Sequence, residues 1–150
     1  MKKNLYHYRL SGLDGIYLAD GYEIVETHRG RGIVFHDLAG LHRAIGRHLV
    51  LGRRRLSGKE LRFLRKDMGL IQAELARLLG VSSQQVARWE KGQCAMPGTA
   101  DTMVRLLYAE HIGQPATPST VLRVIDGLPP RAPKREVFTA ARGWRVARAA

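Results

Sequence analysis

The sequence predicts an α+β fold: a small antiparallel β-rich unit at the N-terminus, a helical domain in the middle and a C-terminal segment patterned as a β-hairpin. Three observations carry this. The first 36 residues are rich in Tyr, Ile and Val and are broken by turn dipeptides. The next 80 or so carry apolar residues at helical spacing, with caps at their starts. The last 20 hold two short β-forming runs around Arg142-Gly143.

Element by element, Tyr6-His7-Tyr8, Ile16-Tyr17-Leu18, Tyr22 to Thr27 and Gly32 to Phe35 have strand-forming composition. Ser11-Gly12, Asp14-Gly15, Asp20-Gly21 and Arg29-Gly30 supply the turns between them. A four-stranded antiparallel meander is the simplest assembly. Asp37 is placed to cap a helix over about 37–51, in which Leu38, Leu41, Ile45 and Leu49 share a face. After a basic hinge, Arg53-Arg54-Arg55, four helices are expected near 58–68, 72–79, 83–90 and 99–111, then a proline-containing break and a short helix at 120–126. Pro129-Pro130 and Pro133 stiffen the link to the tail, whose hairpin would join 136–139 to 144–147. An isolated hairpin is marginal in water, so an ordered one is expected to pair with the N-terminal sheet or with a second subunit. The expected division is 1–52 for a β-rich unit with a linking helix, serving dimerisation or partner binding, 53–113 for the helical domain and 114–150 for linker and tail.

Charge narrows the function. The 150 residues contain 25 Lys and Arg against 13 Asp and Glu, a net +12. That excess favours a polyanionic partner, nucleic acid before membrane. One cysteine, Cys94, excludes an internal disulfide and a cysteine-based zinc ribbon and fits a reducing cytoplasm. Met1-Lys2-Lys3-Asn4 is basic but is not followed by the apolar stretch of a signal peptide, and no apolar run reaches the ~20 residues of a membrane span. A cytoplasmic protein with no membrane partner is expected. Nucleophile elbow, P-loop and paired-carboxylate motifs are all missing, so no catalytic residue is assigned and no enzyme is expected. The histidines of the first third, His7, His28, His36, His42 and His48, have no tight ligand spacing, and no metal is expected.

The middle segment carries the functional signal. Ser57-Gly58-Lys59-Glu60 is a capping box ahead of Leu61, Leu64 and Met68. In Gln72-Ala73-Glu74-Leu75-Ala76-Arg77-Leu78-Leu79-Gly80-Val81-Ser82, Ala76 is small where two helices cross. Gly80 allows a tight turn, Val81 plugs the core and Ser82 caps the next helix. That helix, 83–90, buries Val86 and Trp89 and leaves polar side chains free to reach base edges. Arg53, Arg54, Arg55, Lys59, Arg62 and Lys91 flank the segment and suit phosphate contact.

Leu70-x-Gln72-Ala73-Glu74-Leu75-Ala76, Gly80-Val81-Ser82, Val86 and Trp89-Glu90-x-Gly92 resemble the Xre (Cro/C1-type) helix-turn-helix regulators over about 57–112. The resemblance implies a lambda-repressor-like helical fold, double-stranded DNA as partner and a homodimer. It implies base contacts by Ser83, Gln84 and Arg88, and backbone or flanking contacts by Gln85. Gln72 would grip a phosphate and brace the first recognition residue, and Arg65 and Glu90 would pair. The chemistry agrees, since Arg can bind guanine and Gln adenine bidentately. Ile71 departs from the pattern, standing where the family has a Thr or Asn cap, a loss of roughly 1 kcal/mol.

The wider layout is similar to that of MqsA-type antitoxins, whose N-terminal unit binds zinc through two Cys-x-x-Cys pairs and holds a toxin. This chain has no Cys-x-x-Cys, so no zinc or other cofactor is expected. Two functions stay open at this point. One is a transcriptional repressor on a palindromic operator. The other is an antitoxin that neutralises a partner toxin and autoregulates its operon. The dimer interface is equally open, between the helix at 99–111 with Met103, Leu106, Leu107 and Tyr108, the N-terminal sheet and the tail hairpin.

Overall fold

A computed structural model describes residues 4–130 and 132–149. Residues 1–3, with the N-terminal lysines, lie outside the described residues. The fold is α+β, with six helices and six strands among the described residues. They divide into two units, one of residues 1–45 with 133–150 and one of residues 46–132.

The first unit contains a four-stranded sheet in the order β1-β2-β5-β6: β1 Tyr6–His7, β2 Ile16–Leu18, β5 Glu136–Thr139 and β6 Arg145–Ala149. The strands β3 Tyr22–Thr27 and β4 Gly30–Phe35 form a separate antiparallel ribbon. The expected meander is therefore corrected. β2 takes β1 on one side, antiparallel, and β5 on the other, parallel, with Ile16 opposite Glu136 and Leu18 opposite Phe138. Ile16, Leu18 and Phe138 are buried together with Tyr8, Leu41 and Ile45. Turn signals are local and do not say which distant strand will fill a sheet edge. Here the tail hairpin fills it, which is why residues 133–150 join the N-terminal unit instead of standing apart. The Asp20 carboxylate fixes the join, accepting from Thr139 Oγ1 at 2.7 Å and from the Ala140 N–H at 2.5 Å. In the β5–β6 turn Arg142 (φ 60°) and Gly143 (φ 84°) are left-handed, and the Gly143 N–H donates to the Ala140 carbonyl at 3.1 Å.

The ribbon is held at its base by aromatic contacts. The rings of Tyr22 and Phe35 lie 5.0 and 6.0 Å from that of Tyr6, and Phe35 lies 5.2 Å from Tyr8. Gly21, at φ 79°, leaves room for the Trp144 ring, whose Nε1 donates to the His36 carbonyl at 2.7 Å. Asp37 caps the following helix, α1 (Leu38–Gly52), its carboxylate accepting from the Gly40 N–H at 3.1 Å.

The second unit takes the C-terminal half of α1 and five further helices: α2 Gly58–Asp67, α3 Gln72–Leu79, α4 Ser83–Glu90, α5 Gly98–His111 and α6 Pro118–Asp126. α6 starts earlier than expected because Pro118 does not break it. Proline at the first helical position loses no hydrogen bond, and Thr117 and Thr120 cap that end reciprocally. The core holds Leu49, Leu61, Leu64, Leu75, Val86, Trp89, Val104 and Val121. Tyr108, a subunit-interface candidate by sequence, is also buried, and its hydroxyl donates to Asp67 at 2.6 Å. Gly46 of α1 gives its ring room, since a Cβ there would overlap the phenol. Among the described residues no helix is long and apolar enough to cross a membrane.

His48 of α1 is a built-in pH dependence. Burial, and then the positive charge of Arg53, push its pKa down from 6.5 to about 4, against a smaller opposing pull from Glu60. Between those two values the unfolded chain binds a proton that the folded chain refuses, so stability falls as pH drops from about 6.5 to about 4. Urea midpoints across that window should decline less in His48→Gln than in the parent. Equal declines would place the titrating group elsewhere.

Candidate nucleic-acid interface

The helix-turn-helix is built by local devices. Ser57 Oγ accepts from the Glu60 N–H at 3.2 Å and Glu60 Oε1 accepts from the Ser57 N–H at 2.8 Å, fixing the start of α2. Gly58 has no Cβ because one there would meet the Trp89 and Glu90 carbonyls, so α2 begins tightly against the end of α4. At the start of α3, Ile71 offers no oxygen, yet Glu74 Oε1 accepts its N–H at 3.1 Å. Half of a capping box thus survives the departure from the family pattern. Gly80 ends α3 at φ 70°, ψ 30°, the left-handed conformation that glycine adopts without steric cost. Ser82 then accepts from the Gln85 N–H at 3.1 Å and opens α4.

α4 is anchored from one side and open on the other. Val86 and Trp89 are buried, while Gln84, Arg88 and Lys91 are exposed. Their i, i+4, i+7 spacing puts them in one stripe along the helix. Ser83 and Gln85 are half-buried. Ser83 Oγ lies 3.4 Å from Gln84 Oε1, and Gln85 Nε2 lies 3.3 Å from the exposed Cys94 Sγ.

The end of α4 is clamped to α2. Arg65 Nε and Nη2 donate to the two carboxylate oxygens of Glu90 at 2.6 and 2.9 Å, and Arg65 Nη1 donates to the Leu70 carbonyl at 2.9 Å. The Arg65 and Glu90 side chains are only 9% and 4% exposed. Gln72 Nε2 adds a third donor to Glu90, at 3.2 Å. In the free protein Gln72 therefore braces the far end of α4, where the resemblance has it bracing the first recognition residue. Its side chain is half-buried.

The three consecutive arginines separate. Arg54 and Arg55 are exposed, but Arg53 is buried, 6% exposed, with Nε donating to Glu60 Oε2 at 2.6 Å. In this position its guanidinium is engaged inside the protein, where the sequence has it as a phosphate contact. One Glu60 carboxylate closes the capping box with one oxygen and holds Arg53 with the other, so Arg53 ties α1 to α2 from within. Composition could not distinguish three like neighbours. Arg77 of α3, which no sequence motif singled out, is exposed, as are Arg62 and Lys66 of α2.

With this geometry in view, residues 61–107 match the family model for the helix-turn-helix. The match lies wholly within the second unit and runs from within α2 to most of α5. No curated protein and no solved structure matches the chain. The matched family is one of DNA-binding regulators, and residues 61–107 are similar to it.

Proposed function

We propose that the chain is a sequence-specific transcriptional regulator, a repressor that binds a palindromic operator in double-stranded DNA as a homodimer, with α4 as the recognition helix in the major groove. The exposed Gln84–Arg88–Lys91 stripe, on a helix clamped at its end by Arg65 and Glu90, carries the reading. A side chain can discriminate bases only if its helix cannot roll, and the buried clamp supplies that rigidity. In this reading Ser83, Gln84 and Arg88 contact bases. Lys91, Gln85, Arg54 and Arg55 contact the backbone, and Gln72 braces α4. The net charge of +12 supports a polyanionic partner. Half-sites would then lie about 34–36 Å apart, one helical turn, and occupancy would block polymerase.

Selection of bound sequences from random DNA tests this directly. An inverted repeat with half-sites one turn apart is expected, and enrichment of no sequence would overturn the reading. On the selected site Arg88→Ala should lose discrimination at one base pair per half-site, by about 1–3 kcal/mol. A uniform loss on every sequence would make Arg88 a phosphate contact instead. Arg54→Ala with Arg55→Ala should weaken binding to all sequences and flatten the salt dependence by about 0.9 for each phosphate no longer neutralised. An unchanged slope would remove both arginines from the interface.

A further inference from the structure

Between α5 and α6 the second unit opens into a groove of about 750 Å³. Met103, Leu106, Leu122 and Ile125 line it, and Arg54 and Arg55 stand on its rim. Met103 is 44% exposed and Leu122 is 49% exposed, so the apolar lining faces water. The carboxylate in the lining, Asp101, is buried, and its two oxygens accept from the Leu56 N–H at 2.9 Å and from Arg105 Nε at 2.5 Å. It offers no negative charge to an occupant. The groove continues into a depression of about 290 Å³ that shares Arg55, Ala95 and Met96 with it and reaches Trp89 and Gly92 at the end of α4.

Large apolar side chains gathered around a concavity and rimmed by charge mark a contact surface. Such grooves take the apolar face of an amphipathic helix through anchors at i, i+3 or i+4 and i+7, and methionine lets the lining adapt. Charge selects the occupant. Two exposed guanidinium groups attract carboxylates, whereas a second copy of a chain at +12 would bring like charge to the same rim. We propose that the α5–α6 groove docks an acidic amphipathic helix of a partner protein, and that this docking competes with DNA for Arg54 and Arg55. The competition rests on the reading of those two arginines as phosphate contacts; the docking does not. Carboxylates on a guanidinium form charge-assisted bidentate bonds, which withdraw backbone contacts and leave the Gln84–Arg88 stripe untouched. The partner therefore lowers DNA affinity on every sequence without changing sequence preference.

The probe is a synthetic helical peptide with Leu at i, i+3 and i+7 and Glu along both flanks, compared with a twin carrying Lys for Glu. Fluorescence anisotropy on the full chain should show the acidic peptide binding at least about tenfold more tightly than its twin, or roughly 1.4 kcal/mol. Leu122→Glu should abolish that binding and the milder Leu122→Ala should weaken it, with helix content and urea midpoint checked for both. Arg54→Ala with Arg55→Ala should erase the preference for the acidic peptide. Equal binding of the two peptides, or undiminished binding to a folded Leu122→Glu, overturns the proposal. So does a parent dimer that Leu122→Glu converts to monomer in sedimentation, since a second copy then owns the groove. Saturating acidic peptide should lower affinity for the selected DNA about tenfold, and unchanged affinity despite peptide binding would overturn the competition. If the parent binds no DNA without peptide, the regulator reading fails while the docking result stands.

Discussion

Glu90→Ala should cost the second unit about 3–5 kcal/mol of stability, the usual penalty for removing one partner of a buried ion pair. Arg65 is left 9% exposed with the Leu70 carbonyl as its remaining acceptor, and Gln72 Nε2 loses its oxygen. The penalty arises mainly from the stranded guanidinium, because the attraction between the pair only partly offsets the desolvation of both. Two comparisons separate these terms. Arg65→Met combined with Glu90→Leu removes both charges and should recover most of the lost stability. Glu90→Gln keeps the shape and one acceptor and should fall between. Urea unfolding at constant m-value reads all three. DNA binding should not recover with the double variant, because apolar contact does not reproduce two directed hydrogen bonds between α2 and the end of α4. A double variant with both parental stability and parental affinity would show that the clamp has no part in orienting α4.

The devices that make the helix-turn-helix were legible because each is local. Ser57 and Glu60 are three residues apart, Ser82 caps at the N–H of Gln85, and Gly80 needs only its own φ of 70°. The Arg65–Glu90 pair, 25 residues apart, came from the family resemblance, and the structure holds it bidentately. Features that depend on distant partners were hidden. The parallel pairing of β2 with β5 joins residues 16–18 to residues 136–138, and nothing in Ile16-Tyr17-Leu18 marks which strand will lie beside it. Arg53 looked like its neighbours because burial is a property of the fold and not of the tripeptide. Nor does the sequence around Gln72 show that its amide donates to Glu90, 18 residues on, a carboxylate also held by Arg65.

Arg105 presents the same physics in a setting the sequence hid. It sits on α5, fully buried at 0% exposure, with Nε donating to Asp101 at 2.5 Å and Nη1 donating to the Val50 carbonyl at 2.8 Å. Asp101 also accepts from the Leu56 N–H at 2.9 Å, so one ion pair joins the end of α1, the segment that leads into α2, and α5. Asp101→Ala removes the countercharge of a guanidinium that has no route to water and also strands a buried backbone N–H. The expected cost is again about 3–5 kcal/mol for the charge, with roughly 1–3 kcal/mol more for the unsatisfied donor. Asp101→Asn retains an acceptor for one of the two donors and should cost less. Arg105→Met in the Asp101→Ala background should restore part of the loss, because apolar atoms then fill a dry site. The Leu56 N–H stays unpaired, which sets the limit of that recovery. A linear sum of the two single effects in the double variant would mean that the residues do not interact. Asp101 would then hold the Leu56 N–H, and Arg105 the Val50 carbonyl, independently of one another.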